Sequence, residues 1–502
     1  MKKIFTLLLV CMSMLSAMAK DYACGLAVTV MGKPIKYQQI NISVDNKDNG
    51  KYDLLLKDFT LVMEDSEMAL GDIELKDVEA VFDEEEGSTN LHTTQTISLL
   101  GGAMQCPTTL EGMIMGDELA ILLNIEGGLG VNVAILSHNT QIAGADFENW
   151  HTEAASSKTG NEPNGWHSFM SCTGSLAGIV TAEKVFVSND VPAQSTGKHS
   201  ARVISSSVFG ISANGTITTG RMQAGGFTAA DPKNCAFLDM SKTDVDGNGD
   251  PFWSRMTGRP SSITLWYKFK AGEGNENPTA SVSAVITDGT YYQDPQDKDD
   301  YDNIVAAAKN VLPETEGEWK KVTIPFDYAT YAENDADAAS ILVTISTCSV
   351  PGGGSVSSDS PDEILIDDIT LNYDFVPTGI EIFEKEIVGF SADKTDYEIS
   401  LDKIPTSEDI EIYCENDANA AALPYYDAES KTLILNVYNE ELTQVKTYKF
   451  KNINTGISNI DNNANKTVVG KYDLNGMRTN GKSNQVVITK YSDGTTVKSI
   501  QK

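Results

Sequence analysis

Short apolar runs, alternating with polar residues and cut by glycine or by Asn and Asp turns, recur from Lys20 almost to the end of the chain. A period-2 pattern of this kind buries one face of a strand and leaves the other in solvent. It commits the chain to β-sheets that close on themselves or stack in pairs. At 502 residues there is room for about three or four such domains. Apolar content of 41% supplies enough side chains for real cores.

The formal net charge is -33, spread along the chain. That surface repels polyphosphate and anionic membrane, so nucleic acid is not an expected partner. A neutral ligand or a divalent cation suits it better. The first residues read as a secretory signal: Lys2 and Lys3, an apolar stretch from Ile4 to Met14, and the cleavage pattern Ala17-Met18-Ala19. Export is therefore expected, to the cell surface or the medium, with the periplasm as the alternative. No later segment has the length of a transmembrane helix. Six cysteines follow residue 19 (Cys24, Cys106, Cys172, Cys235, Cys348, Cys414), which permits disulfides without specifying them.

Residues 20–140 contain roughly eight short strands at close spacing, the pattern of an up-and-down barrel. In KYDLLLKDFTLVM, Leu54, Leu56 and Phe59 share a face with a slip at Asp58. The layout resembles lipocalin-like, or calycin-like, domains of exported Bacteroidetes proteins. Such a barrel either holds one small ligand or is filled by its own side chains.

Residues 141–375 carry longer strands and long loops, which suggests a jelly-roll β-sandwich. In SITLWYKFK, Ile263, Leu265, Tyr267 and Phe269 point inward, and Thr264, Trp266 and Lys268 outward. In EWKKVTIPF, Val322, Ile324 and Phe326 point inward, and Trp319, Lys321 and Thr323 outward. The AAA run within Asn303–Val311 reads as a helix. The set DFENW (Asp146–Trp150), GRPSSITLWYKFK, EWKKVTIPF and EILIDDITL resembles the carbohydrate metabolism domain of Bacteroidetes, a jelly roll similar to carbohydrate-binding modules. The resemblance implies a fold more than an activity.

Sugar rings offer apolar C–H faces on which aromatic rings stack. Trp266 and Trp319 are the sugar-platform candidates. Trp253 and Trp166 sit in loops, and Tyr291, Tyr292 and Tyr301 border the acidic loop Asp294–Asp302. Trp150 reads as core. Packing beneath loops is the competing role for each ring.

Two acidic groups suit a structural calcium. Asp244, Asp246, Asn248 and Asp250 match the first half of a calcium loop, although its twelfth position is Arg255 and the flanks are not helical. Jelly-roll modules often hold calcium near their first and last strands, which points to Glu148 with Asp367 or Asp368. Adjacent strand residues face opposite ways, so Asp368 or Asp367 serves, not both, unless a bulge intervenes.

Residues 376–453 read as a small Ig-like sandwich, similar to spacer modules of bacterial surface proteins. Residues 454–502 read as a linker and a short β tail, in which YDLNGMR and SDGT resemble type IX sorting domains. GMRTNGKS (Gly476–Ser483) matches a phosphate-loop pattern by letter only, since no strand and helix frame it. None of HExxH, GxSxG or a Cys–His signature occurs. A glycosidase needs two carboxylates across a cleft, which abundant acidic residues leave open. The expected protein is all-β and exported. It binds glycan without catalysis through aromatic stacking in the jelly roll, with calcium stiffening its loops. The alternative is a structural adhesin that binds other surface proteins.

Overall fold

The chain is nearly all-β in the computed structural model, which describes residues 19–47, 50–63, 66–83, 88–116, 118–126, 130–137, 140–155, 158–298, 301–454, 468–472, 485–491 and 496–501. The expected signal segment and the phosphate-loop letter match lie outside the described residues.

Eight antiparallel strands come first: β1 (Lys20–Val30), β2 (Gln38–Asn46), β3 (Lys51–Met63), β4 (Ser66–Asp83), β5 (Ser88–Leu99), β6 (Met104–Met115), β7 (Glu118–Ile125) and β8 (Val131–Ser137). Each pairs with the next, and β8 returns to β1 with Val133 opposite Val28. Closure removes the free edges of this sheet. On β3, Leu54, Leu56, Phe59 and Leu61 are all buried. The period slips between Leu56 and Phe59 because a bulge there puts Asp58 at φ 52°, its N–H held by Asp72 Oδ1 at 2.9 Å. Leu26, Ile42, Leu75, Ile121 and Val133 meet in the same cluster, so the barrel's own side chains fill its centre.

A hairpin follows, β9 (Trp150–Ala155) and β10 (Lys158–Pro163), then a sandwich. Its strands are β11 (Val185–Ser188), β12 (Ser200–Ile204), β13 (Thr216–Thr218), β14 (Arg221–Ala224), β15 (Asn234–Phe237), β16 (Ser262–Lys270), β17 (Thr279–Thr287), β18 (Ile304–Pro313), β19 (Lys320–Pro325), β20 (Ser340–Ser346) and β21 (Glu363–Asn372). One sheet runs β11-β12-β21-β16-β19 and the facing one β13-β20-β17-β18. Ile263, Leu265, Tyr267 and Phe269 of the first sheet meet Val282, Ala284, Val343 and Ile345 of the second. The AAA segment is strand β18, not a helix: Ala306 and Ala308 are buried between the sheets, where small side chains let them approach. Tertiary packing overrides the helix propensity of alanine here.

A smaller β-unit follows. Pro377–Ile382 pairs with Ile410–Cys414, and Thr432–Asn439 lies between Ala420–Asp427 and Val445–Asn452. This unit does not stand apart as a spacer would. Leu423, Tyr438 and Leu442 bury against Ala27 and Ala134 of the barrel. The Asn436 amide donates to Gly32 O at 2.9 Å, and the Asn439 amide to Tyr373 O at 2.9 Å. Barrel, sandwich and this unit thus belong to one compact body, made of the described residues up to 397 and from 405 to 451. The six cysteines after residue 19 are all free thiols.

The second body comprises residues 398–404 and 452–502. In it Leu401 N–H donates to Asn452 Oδ1 at 3.1 Å, and Val468–Tyr472, Gln485–Tyr491 and Thr496–Gln501 form an antiparallel three-stranded sheet. The tail therefore has three strands.

Candidate functional site

The outward face of the β13-β20-β17 sheet is made of small hydroxyl residues. Alternation turns Val282, Ala284, Val343 and Ile345 into the core, so Ser281, Ser283, Thr344 and Ser346 point out. Thr216 and Ser346 are hydrogen-bonded at 3.0 Å, and Thr218 and Thr344 at 3.3 Å. Strands β14 and β15 stand over this face on one side. The short helix Ala177–Val180 and the hairpin Ser206–Val208/Ile211–Ala213 complete the walls. Together they enclose a cleft of about 480 Å³, within the range of ordinary small-ligand sites.

Three phenylalanines line the cleft: Phe169, Phe209 and Phe227. Phe209 is 81% exposed and Phe227 74% exposed, whereas large apolar side chains usually seek burial. Phe209 sits at the hairpin tip at φ 53°. Lysine, arginine, histidine and glutamate are missing from the described lining, and Asp294 is its one carboxylate. Asp294 Oδ2 is engaged by the Ser283 hydroxyl and lies 3.7 Å from Lys309 Nζ. The cleft therefore offers neutral hydroxyl and amide groups beneath apolar rings. A two-carboxylate hydrolysis has no second acid here.

The aromatic residues singled out from the sequence lie elsewhere. Trp266 and Trp319 flank the outer face of the other sheet: Trp266 is paired with Lys321, and Trp319 precedes that strand by one residue. Trp319 Nε1 donates to Asp190 Oδ1 at 2.9 Å, and Lys268 Nζ meets Asp190 Oδ2 at 2.7 Å. The Lys268 hydrogen bond, aided by that of Trp319, holds the Asp190 carboxyl below its ordinary range. Trp253 packs beside Tyr292, Tyr301 and Leu238 in a secondary core. Tyr292 is fully buried and crosses Tyr301 edge-on at 5.0 Å, so neither rims an open site. Tyr301 donates to Asp297 Oδ1 at 2.7 Å. Tyr291 is half exposed, donates to Gln293 Oε1 at 2.7 Å and faces Phe237 at 5.9 Å. Trp166 is a core residue, fully buried 5.3 Å from Phe147, with its Nε1 donating to Ala143 O. Trp150 packs partly buried against the same core.

The acidic residues separate into two places. In the Asp244–Asp250 turn, Asp244 is paired with Arg221, and Asp250 Oδ2 accepts from Gly165 N–H and the Asn248 amide, both at 2.9 Å. Asp246 Oδ1 accepts from Asn248 N–H at 2.9 Å and Asp250 N–H at 2.8 Å. Asp246, Asn248 and Asp250 thus bond one another within the turn, while Asp244 turns to Arg221.

Near the first and last sandwich strands the arrangement is different. A bulge puts Asp368 at φ 47° and breaks the register between β16 and β21. Asp367 is thereby fully buried, and its Oδ2 has no hydrogen-bond partner. Burial first, then the charges of Asp368, Glu148 and Asp146, push its carboxyl up to about 7. Ile369 N–H donates to Ala145 O at 3.0 Å, which ties this bulge to the DFENW segment. Glu148 Oε1 accepts from Lys198 N–H at 2.6 Å and His199 N–H at 2.8 Å.

Residues 18–140 match the calycin-like beta-barrel domain family. No curated protein matches the sequence. A candidate glycoside hydrolase of Bacteroides thetaiotaomicron aligns with 55% of this chain and 90% of its own, at 14% identity and a TM-score of 0.31. A candidate glycoside hydrolase of Bacteroides vulgatus covers 47% of this chain and 98% of its own, at 17% identity and a TM-score of 0.29. A carbohydrate-binding module specific for non-crystalline cellulose covers 41% of this chain and 87% of its own, at 10% identity and a TM-score of 0.21.

Proposed function

We propose that the protein captures a neutral glycan in the cleft of the central sandwich, without catalysis, at the cell surface or outside the cell. One observation carries this reading: a floor of Ser and Thr hydroxyls lies beneath exposed Phe209 and Phe227, with no basic residue in the described lining. Hydroxyls and amides bond sugar hydroxyls, and the rings stack on apolar sugar faces. The acidic surface disfavours anionic polysaccharide.

Calcium serves in this reading as a structural ion beside Asp367. The buried, unpartnered Asp367 Oδ2 and the charges of Glu148, Asp146 and Asp368 around it suit a hard cation with oxygen ligands. The ion would tie the DFENW segment to the last sandwich strand. The Asp244–Asp250 turn is left out of this role.

Calorimetric titration of the whole protein with neutral and with uronic-acid oligosaccharides tests the reading. Binding of a neutral oligosaccharide that weakens in Phe209→Ala supports it. Folded protein that binds none of them, yet captures other surface proteins through this patch, favours the adhesin.

A further inference from the structure

A second constellation lies where the β9–β10 hairpin meets the Asp244–Asp250 turn. His151 and Glu162 are register partners on that hairpin, and Glu153 follows His151 on the same face. His167 comes from the segment after β10, where it bridges to Thr218. Asp246 arrives from a remote loop. The His151 and His167 side chains are 7% and 0% exposed, and that of Asp246 is 0% exposed.

The atoms that face one another are unsatisfied. His151 Nε2, His167 Nε2, Asp246 Oδ2 and Glu162 Oε2 are all buried without a hydrogen-bond partner. Orphaned buried polar atoms are costly singly, and one shared cation would satisfy these four together. Asp246 Oδ2 lies 3.4 Å from His151 Nε2 and 3.3 Å from His167 Nε2, and Glu153 Oε2 lies 3.6 Å from His151 Nε2. Bonds of about 2.0–2.2 Å at tetrahedral angles put neighbouring ligand atoms about 3.3–3.6 Å apart. Ligand atoms of His151, Glu153 and Glu162 lie within 4.8 Å of one another.

The outer contacts aim these atoms inward. His151 Nδ1 lies 3.2 Å from Asn164 Oδ1, which leaves the Nε2 lone pair for a ligand bond. Asp246 Oδ1 is occupied by two backbone N–H groups, so Oδ2 is the spare oxygen. Glu162 Oε1 takes Ser168 N–H at 2.6 Å and the Ser171 hydroxyl at 3.1 Å, which spares Oε2. Glu153 Oε2 accepts Gly247 N–H at 2.7 Å and keeps lone-pair capacity.

We propose that His151, His167 and Asp246, with the carboxylates of Glu153 and Glu162, form a zinc site that bolts the hairpin to the Asp246 loop. Two imidazoles with carboxylate oxygens select a borderline divalent ion such as zinc rather than calcium. Four or more protein ligands make it a closed, structural site. The site does not depend on the glycan reading. It does brace the segment from Glu162 to Ser171, which carries Phe169 into the cleft.

The test uses the untagged whole protein, stripped with chelator and titrated with zinc chloride. The expected result is one zinc per chain and a raised Tm. His151→Ala and Asp246→Asn should lose the bound zinc, and Asn164→Ala should bind about 10–100-fold more weakly. Trp319→Phe, which changes a ring that bonds Asp190 instead, should bind zinc as wild type does. Cobalt(II) added to stripped wild-type protein should give visible d–d absorption, a readout that needs no variant to fold. Folded wild-type protein that takes up neither zinc nor cobalt overturns the proposal, as does uptake unchanged in His151→Ala. Either result would leave the group as a buried His–Asp–His ion-pair network.

Discussion

Asp367 faces Trp266 across adjacent strands, the last register pair before the bulge that Asp368 makes. Opposed residues share a face of the sheet, so the Asp367 carboxyl leaves the apolar core on the Trp266 side. The 145–148 segment runs close by: Ala145 O accepts from Ile369 N–H, and the charges of Asp146 and Glu148 act on the carboxyl.

This burial has a pH signature. Asp367 titrates near 3.8 when unfolded and at about 7 in the folded chain. The folded state therefore keeps a proton that the unfolded chain releases, and stability falls as pH rises from about 4 to about 7. In chelator, the Tm of wild type should drop across this window relative to Asp367→Asn. With calcium added near neutral pH, wild type should gain Tm and the variant should not. A wild-type-minus-variant difference that stays constant from pH 4 to 8 would reject this account.

Phe209→Ala and Phe227→Ala should each weaken neutral-glycan binding about 2–13-fold, the value of a ring contact of about 0.5–1.5 kcal/mol. Because both rings are exposed, stability should stay within about 0.5 kcal/mol of wild type. Calorimetry and urea melts on the same samples separate the two effects. Loss of stability with binding intact would mean the rings pack rather than bind.

Trp266→Ala and Trp319→Phe should leave cleft binding unchanged, since both rings belong to the other sheet. Trp319→Phe removes one hydrogen bond to the half-exposed Asp190, an effect of about 0.5–1.5 kcal/mol at most. If Trp266→Ala abolished glycan capture, the binding face would be the β16–β19 side.

Asn436→Ala should cost about 1–3 kcal/mol, the penalty for stranding buried partners. Its amide donates to Gly32 O of the barrel, and its Oδ1 accepts from Thr447 at 2.7 Å. Equilibrium denaturation reads the loss. Barrel and small unit should still unfold together if Leu423, Tyr438 and Leu442 hold the contact.

The legible parts of the site region were those governed by alternation. Ile263, Leu265, Tyr267, Phe269, Ile324 and Phe326 are buried as their spacing requires, and the slip at Asp58 is a real bulge. Ala306 and Ala308 misled because local propensity cannot register a facing sheet. Phe209 and Phe227 gave no signal, since each stands alone in its loop without period. His151 and His167 were equally silent: a ligand set spread over β9, a connecting segment and a loop has no fixed spacing.

The amino-acid sequence by itself determined that the chain is all-β, that its first part closes as a barrel, and which strand faces form the cores. Those properties follow from side-chain alternation and from the number and spacing of the strands along the chain. Only the tertiary structure decided which face of the sandwich carries the cleft, that Asp367 and not Asp368 is the buried acid, and that His151, His167 and Asp246 meet. Each depends on a register or a loop crossing between segments far apart in the chain, and local periodicity carries no information about such distances.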